Sequence, residues 1–347
     1  MMRRALELAA RGLYTTTPNP RVGCVVTRGE EIVGEGWHEK AGNPHAEVRA
    51  LENTAAEGAT AYVTLEPCNH HGRTPPCVDL LIGKKVRRVV AALRDPNPQA
   101  AGGAERLAAA GIAFEHGLLE DEARELNIGF ISRVTRRRPW VRLKVAATLD
   151  GRTALEDGRS QWITGAEARR DGHRWRARAC AILTGIGTVK ADDPQLTVRD
   201  VETPRQPLRV IIDSRLETPP AARILQGERV LIFAAHDGEV PNAEVVRLPD
   251  PNGKVELPRM LEVLAARGIN ELHVEAGFRL NGSLVREGCV DEFLLYLNPS
   301  FLGDSAQGML DLPAPAGLDR RLRLQIVSTA PLGGDLRLLA RPAASST

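Results

Sequence analysis

The stretch Pro44-His45-Ala46-Glu47, read together with Pro67-Cys68 and Pro76-Cys77, decides the fold of the first part of this chain. One imidazole and two thiolates make a set of three zinc ligands. Such a set leaves the fourth tetrahedral position for water, the arrangement of a catalytic zinc and not of a closed structural one. Glu47 is not needed as a ligand and is free to carry protons between water and a reacting group. Pro44 favours a helix start, since its missing N–H costs nothing in the first turn. His45 and Glu47 are therefore expected at a helix N-terminus, facing the end of a sheet. A strand over 59–65 delivers Cys68, and Cys77 opens a helix over 77–82, where the helix dipole favours a thiolate. The competing reading is a zinc ribbon, or a lone buried histidine, closed by His70 or His71 as fourth ligand. It leaves Glu47 without a role.

The pattern continues in both directions. A helix is expected over 2–11, ended by Gly12, followed by strands over 22–26 and 31–37 joined by a turn at Gly29-Glu30. Further strands are expected over 87–93 and 112–114, with a helix over 104–110 between them and another over 120–135. Helices alternating with strands predict a layered α/β sheet with its site at the strand C-terminal ends. Arg136-Arg137-Arg138-Pro139 stops the last helix and marks a domain boundary, the arginines being a solvated helix end.

Length and composition set limits. A chain of 347 residues is expected to form two domains. A net charge of +2 requires neither nucleic acid nor a membrane surface as partner. No apolar run approaches the roughly 20 residues of a membrane span. Aromatic residues make up only 4%, so the core must rest on Leu, Val, Ile and Ala. Five cysteines, an odd number without a framework, point to a reducing, cytoplasmic setting. Cys24, Cys180 and Cys289 lie in apolar surroundings and read as buried small hydrophobes.

His-x-Glu followed by Pro-Cys is the mark of the zinc nucleobase deaminases, with one departure: Cys-x₈-Cys replaces the usual Cys-x₂-Cys. The inserted stretch, Pro67-Cys68-Asn69-His70-His71-Gly72-Arg73-Thr74-Pro75-Pro76-Cys77, resembles the deaminase half of the bifunctional riboflavin-biosynthesis deaminase–reductases. So does Thr17-Pro18-Asn19-Pro20-Arg21-Val22-Gly23-Cys24. Four later stretches resemble the reductase half of the same family, a relative of dihydrofolate reductase. They are Lys144 to Arg152, Ser160-Gln161-Trp162-Ile163-Thr164-Gly165, Thr188 to Arg199, and Glu275-Ala276-Gly277-Phe278-Arg279-Leu280-Asn281-Gly282. Ala276 stands where many members carry a second Gly, and a methyl is expected to be tolerated. There is no Gly-x-Gly-x-x-Gly, so a Rossmann reading has no support.

The resemblance implies an α/β protein: a cytidine-deaminase-like three-layer α/β/α domain over 1–136, then a dihydrofolate-reductase-like α/β domain over 139–342. It implies zinc-dependent deamination of a diaminopyrimidine ribosyl phosphate, then NADPH-dependent reduction of the ribosyl group. His45, Cys68 and Cys77 would hold one Zn²⁺ per chain, with Glu47 as proton carrier. Asn19, His70, His71, Arg73 and Thr74 would shape the deaminase substrate pocket. Ser160, Arg176, Leu196, Arg199 and Glu275 would hold the reductase substrate. Ala146, Trp162, Thr188, Asp192, Ser214 and the segment Gly277, Phe278, Arg279, Leu280, Asn281, Gly282 and Ser283 would hold NADPH. Lys144 and Asp192 are both candidates for the proton donor, and Ser214-Arg215 for reading the 2′-phosphate. The partners are small molecules, with a homo-oligomer, dimer or tetramer, expected. Members carry a few residues before the first helix, so the natural start is expected slightly upstream.

Phosphate-binding physics fits this assignment. Gly277 ends a strand over 271–274 and opens a helix, and Gly185 and Gly187 precede a helix at Thr188; such turns present free N–H groups to a pyrophosphate. Strands over 140–147, 208–212, 230–233 and 292–297 supply more of a parallel sheet, with final strands over 322–327 and 336–341 and a frayed tail. Two rivals remain: a monofunctional nucleobase or tRNA deaminase with a scaffold C-terminus, and a non-catalytic zinc-stabilised binding module.

Overall fold

The computed structural model describes residues 1–71, 75–227 and 230–343, so Arg73 and Thr74 lie outside the described residues. The chain divides into two units, Met1–Arg138 and Pro139–Thr347.

In the first unit the order is α1 (Met2–Ala10), β1 (Gly23–Arg28), β2 (Glu31–Trp37), α2 (Ala46–Leu51), β3 (Thr60–Leu65), α3 (Cys77–Gly83), β4 (Arg88–Leu93), α4 (Gly103–Ala109), β5 (Ala113–His116), α5 (Glu120–Leu126) and α6 (Ile128–Arg136). The five strands form one sheet in the order β2-β1-β3-β4-β5. β1 runs antiparallel to both neighbours, while β3, β4 and β5 run parallel. Helix α1 turns Met2, Ala5, Leu8 and Ala9 inward, as its apolar spacing predicts. Helix α2 lies directly on β2. A Cβ on Gly34 would stand 2.1 Å from Ala50 O, and one on Gly36 would stand 2.5 Å from Ala46 O. Only glycine permits this approach, and it sets where His45 and Glu47 fall.

The helix expected over 120–135 is two helices, broken at Asn127. The cause is a side chain that outbids its own helix. Asn127 Oδ1 accepts from Arg21 N at 2.8 Å and its Nδ2 donates to Arg21 O at 2.9 Å, as a strand neighbour would. Arg21 in turn caps α5 by donating to Leu126 O at 2.6 Å. Short polar side chains that bond backbone disfavour helix interiors for this reason.

In the second unit the order is β6 (Trp140–Thr148), β7 (Arg152–Ala154), α7 (Ala166–Arg178), β8 (Ala181–Gly185), α8 (Ile186–Asp192), β9 (Leu208–Ile212), β10 (Val230–Ala234), β11 (Ala243–Arg247), α9 (Leu257–Ala266), β12 (Glu271–Val274), α10 (Phe278–Arg286), β13 (Glu292–Asn298), β14 (Gln307–Gly308), β15 (Leu324–Leu332) and β16 (Asp335–Pro342). Nine strands make one sheet in the order β11-β10-β9-β8-β12-β6-β13-β16-β15 among the described residues. From β11 to β13 neighbours are parallel; β16 and β15 close the edge as an antiparallel hairpin. The expected strand over 322–327 begins at Leu324 and runs on to Leu332, because the turn falls at Gly333-Gly334.

Alternation along β6 and β12 gives the sheet two different faces. Val141, Leu143, Val145, Leu272 and Val274 enter a core with Met260, Leu261 and Leu264 of α9 and Leu284 of α10. Arg142, Glu271 and Glu292 form a buried ion network on the other face. Arg142 meets Glu292 at 2.6 Å and Glu271 at 3.1 Å, Arg178 meets Glu271 at 2.7 Å, and Arg341 meets Glu292 at 2.9 Å. The Arg142 guanidinium lies over Trp175 at 4.3 Å.

Replacing Asn127 by Ala removes both of its bonds to the buried backbone of Arg21. The expected outcome is a loss of about 1–3 kcal/mol in the stability of the first unit, seen as a lower urea midpoint. An unchanged midpoint would show that the pairing is incidental.

Candidate active sites

Three side chains meet where α2, β3 and α3 begin or end. His45 is the N-cap residue of α2, Cys68 follows β3, and Cys77 is the first residue of α3. Their ligand atoms all lie within 4.8 Å of one another. His45 Nδ1 is 3.3 Å from Cys77 Sγ and 3.5 Å from Cys68 Sγ. The donor set fits zinc. The two sulfurs compete for a proton: the contact with Cys77 draws the Cys68 thiol down to about 4, and the same contact pushes Cys77 up. A divalent cation at their centre stabilises both thiolates and removes the conflict. His70 and His71 are exposed and stand outside this cluster among the described residues.

Glu47 is buried in the first turn of α2. Burial first, and then the charge of Cys68, push its carboxyl up to about 7. Asn19 donates to His38 Nε2 at 3.0 Å, and His38 Nδ1 donates to Pro44 O at 3.2 Å. That pair of bonds fixes the His38 tautomer, and the ring stands edge-on to His45 at 5.5 Å. Sequence reasoning missed His38; its place one residue past β2, in the short connection to the motif, was the available signal. Asp95, just after β4, was also unread. Burial pushes its carboxyl up to about 6. Glu66 supports the cysteine loop: it accepts from Ala104 N at 2.9 Å and Asp95 N at 3.2 Å, and pairs with Arg94 at 2.7 Å.

In the second unit the chemistry gathers on the polar face of the sheet beneath α7. Arg176 grips Glu275 with two bonds, 2.5 and 2.9 Å, and donates to Thr197 O at 3.0 Å. Lys144 Nζ lies 3.9 Å from Glu275. Burial lowers the lysine pKa, with Arg176 acting in the same direction and Glu275 against it. The cations and burial hold Glu275 and its partners as a connected set, and the pull of Arg176 keeps the Glu275 carboxyl well below the ordinary range despite its burial. Arg199 has no ion pair among the described residues; its guanidinium meets only Gln195 and Thr197 Oγ1, at 3.4 and 3.2 Å. Leu196 turns its side chain into the core, 3% exposed, which leaves its backbone for any ligand. Ser160 is partly buried in the loop after β7.

The starts of α8 and α10 converge. They follow the neighbouring parallel strands β8 and β12. A Cβ on Gly277 would stand 3.6 Å from Thr188 Oγ1, and one on Gly185 would stand 3.0 Å from Leu280 Cδ2. Ser214 follows β9, next to β8, and Ala146 lies on β6, next to β12. These positions form an arc along the strand C-terminal ends, with free N–H groups at two helix starts, and fit a dinucleotide. The segment from 277 to 283 is divided. Gly277, Phe278, Arg279 and Leu280 lie at the helix start, while Asn281 donates to Met309 O at 3.3 Å and Gly282 packs against Asp311. Ser283 accepts from Arg286 at 3.0 Å. Trp162 is 71% exposed beneath Arg169 at 4.7 Å, so it is not a core residue. Asp192 ends α8.

This is the architecture of a zinc-dependent cytidine-deaminase-like domain joined in one chain to a dihydrofolate-reductase-like reductase domain. The family described as the cytidine and deoxycytidylate deaminase zinc-binding region matches residues 1–93, and the RibD C-terminal domain matches residues 139–338. The riboflavin biosynthesis protein RibD of Escherichia coli is 50% identical over 90% of each chain. That of Haemophilus influenzae is 45% identical over 98% of this chain and 96% of its own. The solved RibD of Acinetobacter baumannii superposes with a TM-score of 0.92 at 43% identity, covering 99% of this chain and 98% of its own. A Thermotoga maritima structure, described as a diaminohydroxyphosphoribosylaminopyrimidine deaminase and 5-amino-6-(5-phosphoribosylamino)uracil reductase, superposes with a TM-score of 0.91 at 35% identity, covering 99% and 97%. The chain belongs to the RibD family of riboflavin biosynthesis proteins. It is a bifunctional enzyme, deaminase and reductase, with Zn²⁺ and NADPH as cofactors. No described helix is long and apolar enough to cross a membrane.

Replacing Cys77 by Ser puts a hydroxyl where the metal needs a thiolate. The expected result is zinc affinity lowered by more than the roughly 10–100-fold typical of outer-shell changes, measured by metal content after dialysis against a chelator. Full zinc content with unchanged activity would assign the third ligand elsewhere.

Proposed function

We propose that the first unit deaminates 2,5-diamino-6-ribosylamino-4(3H)-pyrimidinone 5′-phosphate and that the second reduces the product to 5-amino-6-ribitylamino-uracil 5′-phosphate. The observation that carries the first step is the meeting of His45, Cys68 and Cys77 beside a buried Glu47. When bound, zinc supplies the Lewis acidity that makes water a nucleophile near neutral pH. Glu47 accepts a proton from the attacking water and returns it to the amino nitrogen, which leaves as ammonia. Asn19, oriented by His38, and the loop carrying His70 bind the pyrimidine.

Reduction of a ribosyl to a ribityl group needs one hydride and one proton. NADPH, when bound, would supply the hydride; Ala146, Thr188, Ser214 and the start of α10 along the strand ends, together with Trp162 and Asp192, would hold it. We assign the proton to Lys144 in preference to Asp192. Lys144 stands against Glu275, and its lowered pKa is the direction a proton donor requires. Ser160, Leu196 and the Arg176–Glu275 pair hold the substrate, and Arg199, free of any ion pair among the described residues, binds its phosphate. The two activities belong to the two domains, 1–136 and 139–342. The enzyme acts in the cytoplasm as a homo-oligomer on small molecules, without nucleic acid.

Glu47→Gln is expected to keep its zinc and to lose about 10²–10⁴-fold in the rate of ammonia release. A near wild-type rate would remove Glu47 from the mechanism. Arg199→Ala is expected to raise the reductase KM for the phosphorylated pyrimidine by roughly 10–100-fold, since a charge-assisted bond to phosphate supplies binding more than chemistry. NADPH absorbance at varied substrate concentration reads this, and an unchanged KM would sink the phosphate assignment.

A further inference from the structure

The segment from 194 to 200 carries Leu196 and Arg199 but has no regular secondary structure. Side chains hold its backbone residue by residue. Arg176 Nη1 donates to Thr197 O at 3.0 Å. Gln206 accepts from Val198 N at 2.8 Å and donates to Val198 O at 3.1 Å. The backbone N–H of Arg199 donates to His173 Nδ1 at 3.2 Å. His173 and Arg176 are three residues apart on α7 and so share one face of that helix.

Of these clamps, His173 acts on Arg199 itself. Its ring is buried, 7% exposed. Burial, with the neighbouring Arg176, holds its pKa down to about 4, so the imidazole is neutral at neutral pH. Its Nε2 lies 3.5 Å from Asp200 Oδ2. A carboxylate there favours the tautomer with hydrogen on Nε2 and leaves Nδ1 as the acceptor that Arg199 N–H needs. The outcome is an arginine with a fixed backbone and a guanidinium free of carboxylates among the described residues.

We propose that His173 is a positioning residue of the reductase: its ring, oriented by Asp200, accepts from the backbone N–H of Arg199 and fixes it so that the guanidinium is presented to the substrate phosphate. The proposal rests on the assignment of Arg199 to that phosphate. Leucine at 173 removes the acceptor at similar volume, whereas asparagine places an amide oxygen where Nδ1 stands. In full-length protein, His173→Leu is expected to raise KM for the phosphorylated pyrimidine roughly tenfold, with kcat and the NADPH KM within about twofold of wild type. His173→Asn is expected to restore KM. Combined with Arg199→Ala, His173→Leu is expected to add nothing, because both remove the same contact.

An unchanged KM in His173→Leu, with Arg199→Ala raised, would overturn the role of His173 and leave the phosphate assignment standing. An unchanged KM in Arg199→Ala would overturn both. Penalties that add in the double variant, or His173→Asn as impaired as His173→Leu, would reduce His173 to general packing and overturn the proposal. Should His173→Leu be recovered unfolded, His173→Gln replaces it. Its amide sits one bond too far out, so the same rise in KM is expected, and wild-type KM would count against the proposal.

Discussion

Both units obey one constraint: a parallel strand must hand its chain to a turn or helix at its C-terminal end. There the backbone leaves the ladder, N–H groups become free, and side chains no longer need to alternate between two packed faces. β3 releases Glu66, Pro67 and Cys68 at such a point, and β8, β9 and β12 release Gly185, Ser214 and Gly277 at theirs. The candidate zinc ligand Cys68 and the glycine turns at Gly185 and Gly277 all stand where a strand of the sheet ends.

The two sites use this freedom differently. In the deaminase unit the electrostatics come from burial and sulfur: an apolar setting raises Glu47, and thiolate chemistry supplies the metal site. In the reductase unit they come from charge against charge. Glu275 remains ionised in the interior because Arg176 binds both its oxygens and Lys144 stands nearby. Removing either partner of such a buried pair leaves an uncompensated charge, which typically costs about 3–5 kcal/mol. The same face of the sheet continues into the Arg142, Glu271 and Glu292 network, so site and scaffold share one polar surface under α7.

The glycines of β2 show how backbone contact sets chemistry at a distance. Gly34 and Gly36 lack the Cβ that would hold α2 off the sheet, and α2 carries His45 at its cap and Glu47 in its first turn. A side chain at either position would displace His45 and Glu47 together. Solved RibD proteins at 35% and 43% identity keep the whole fold.

Much of this was legible in one dimension, because it depends on local chemistry. Thiolates, an imidazole and a carboxylate at motif spacing name a zinc site wherever they fold, and short apolar runs such as 230–233 name buried strands. Other features needed partners that lie far apart along the chain. Asn127 reads as helix until Arg21, more than a hundred residues earlier, offers it a backbone to pair with. His38 and His173 look like ordinary histidines until the fold sets one beside Asn19 and His45 and the other under Arg199 N–H. Lys144 stands against Glu275 only in the folded sheet, across 131 residues of chain. Residue type and periodicity act through neighbours in sequence; hydrogen bonds, ion pairs and burial act through neighbours in space, and only folding decides who those are.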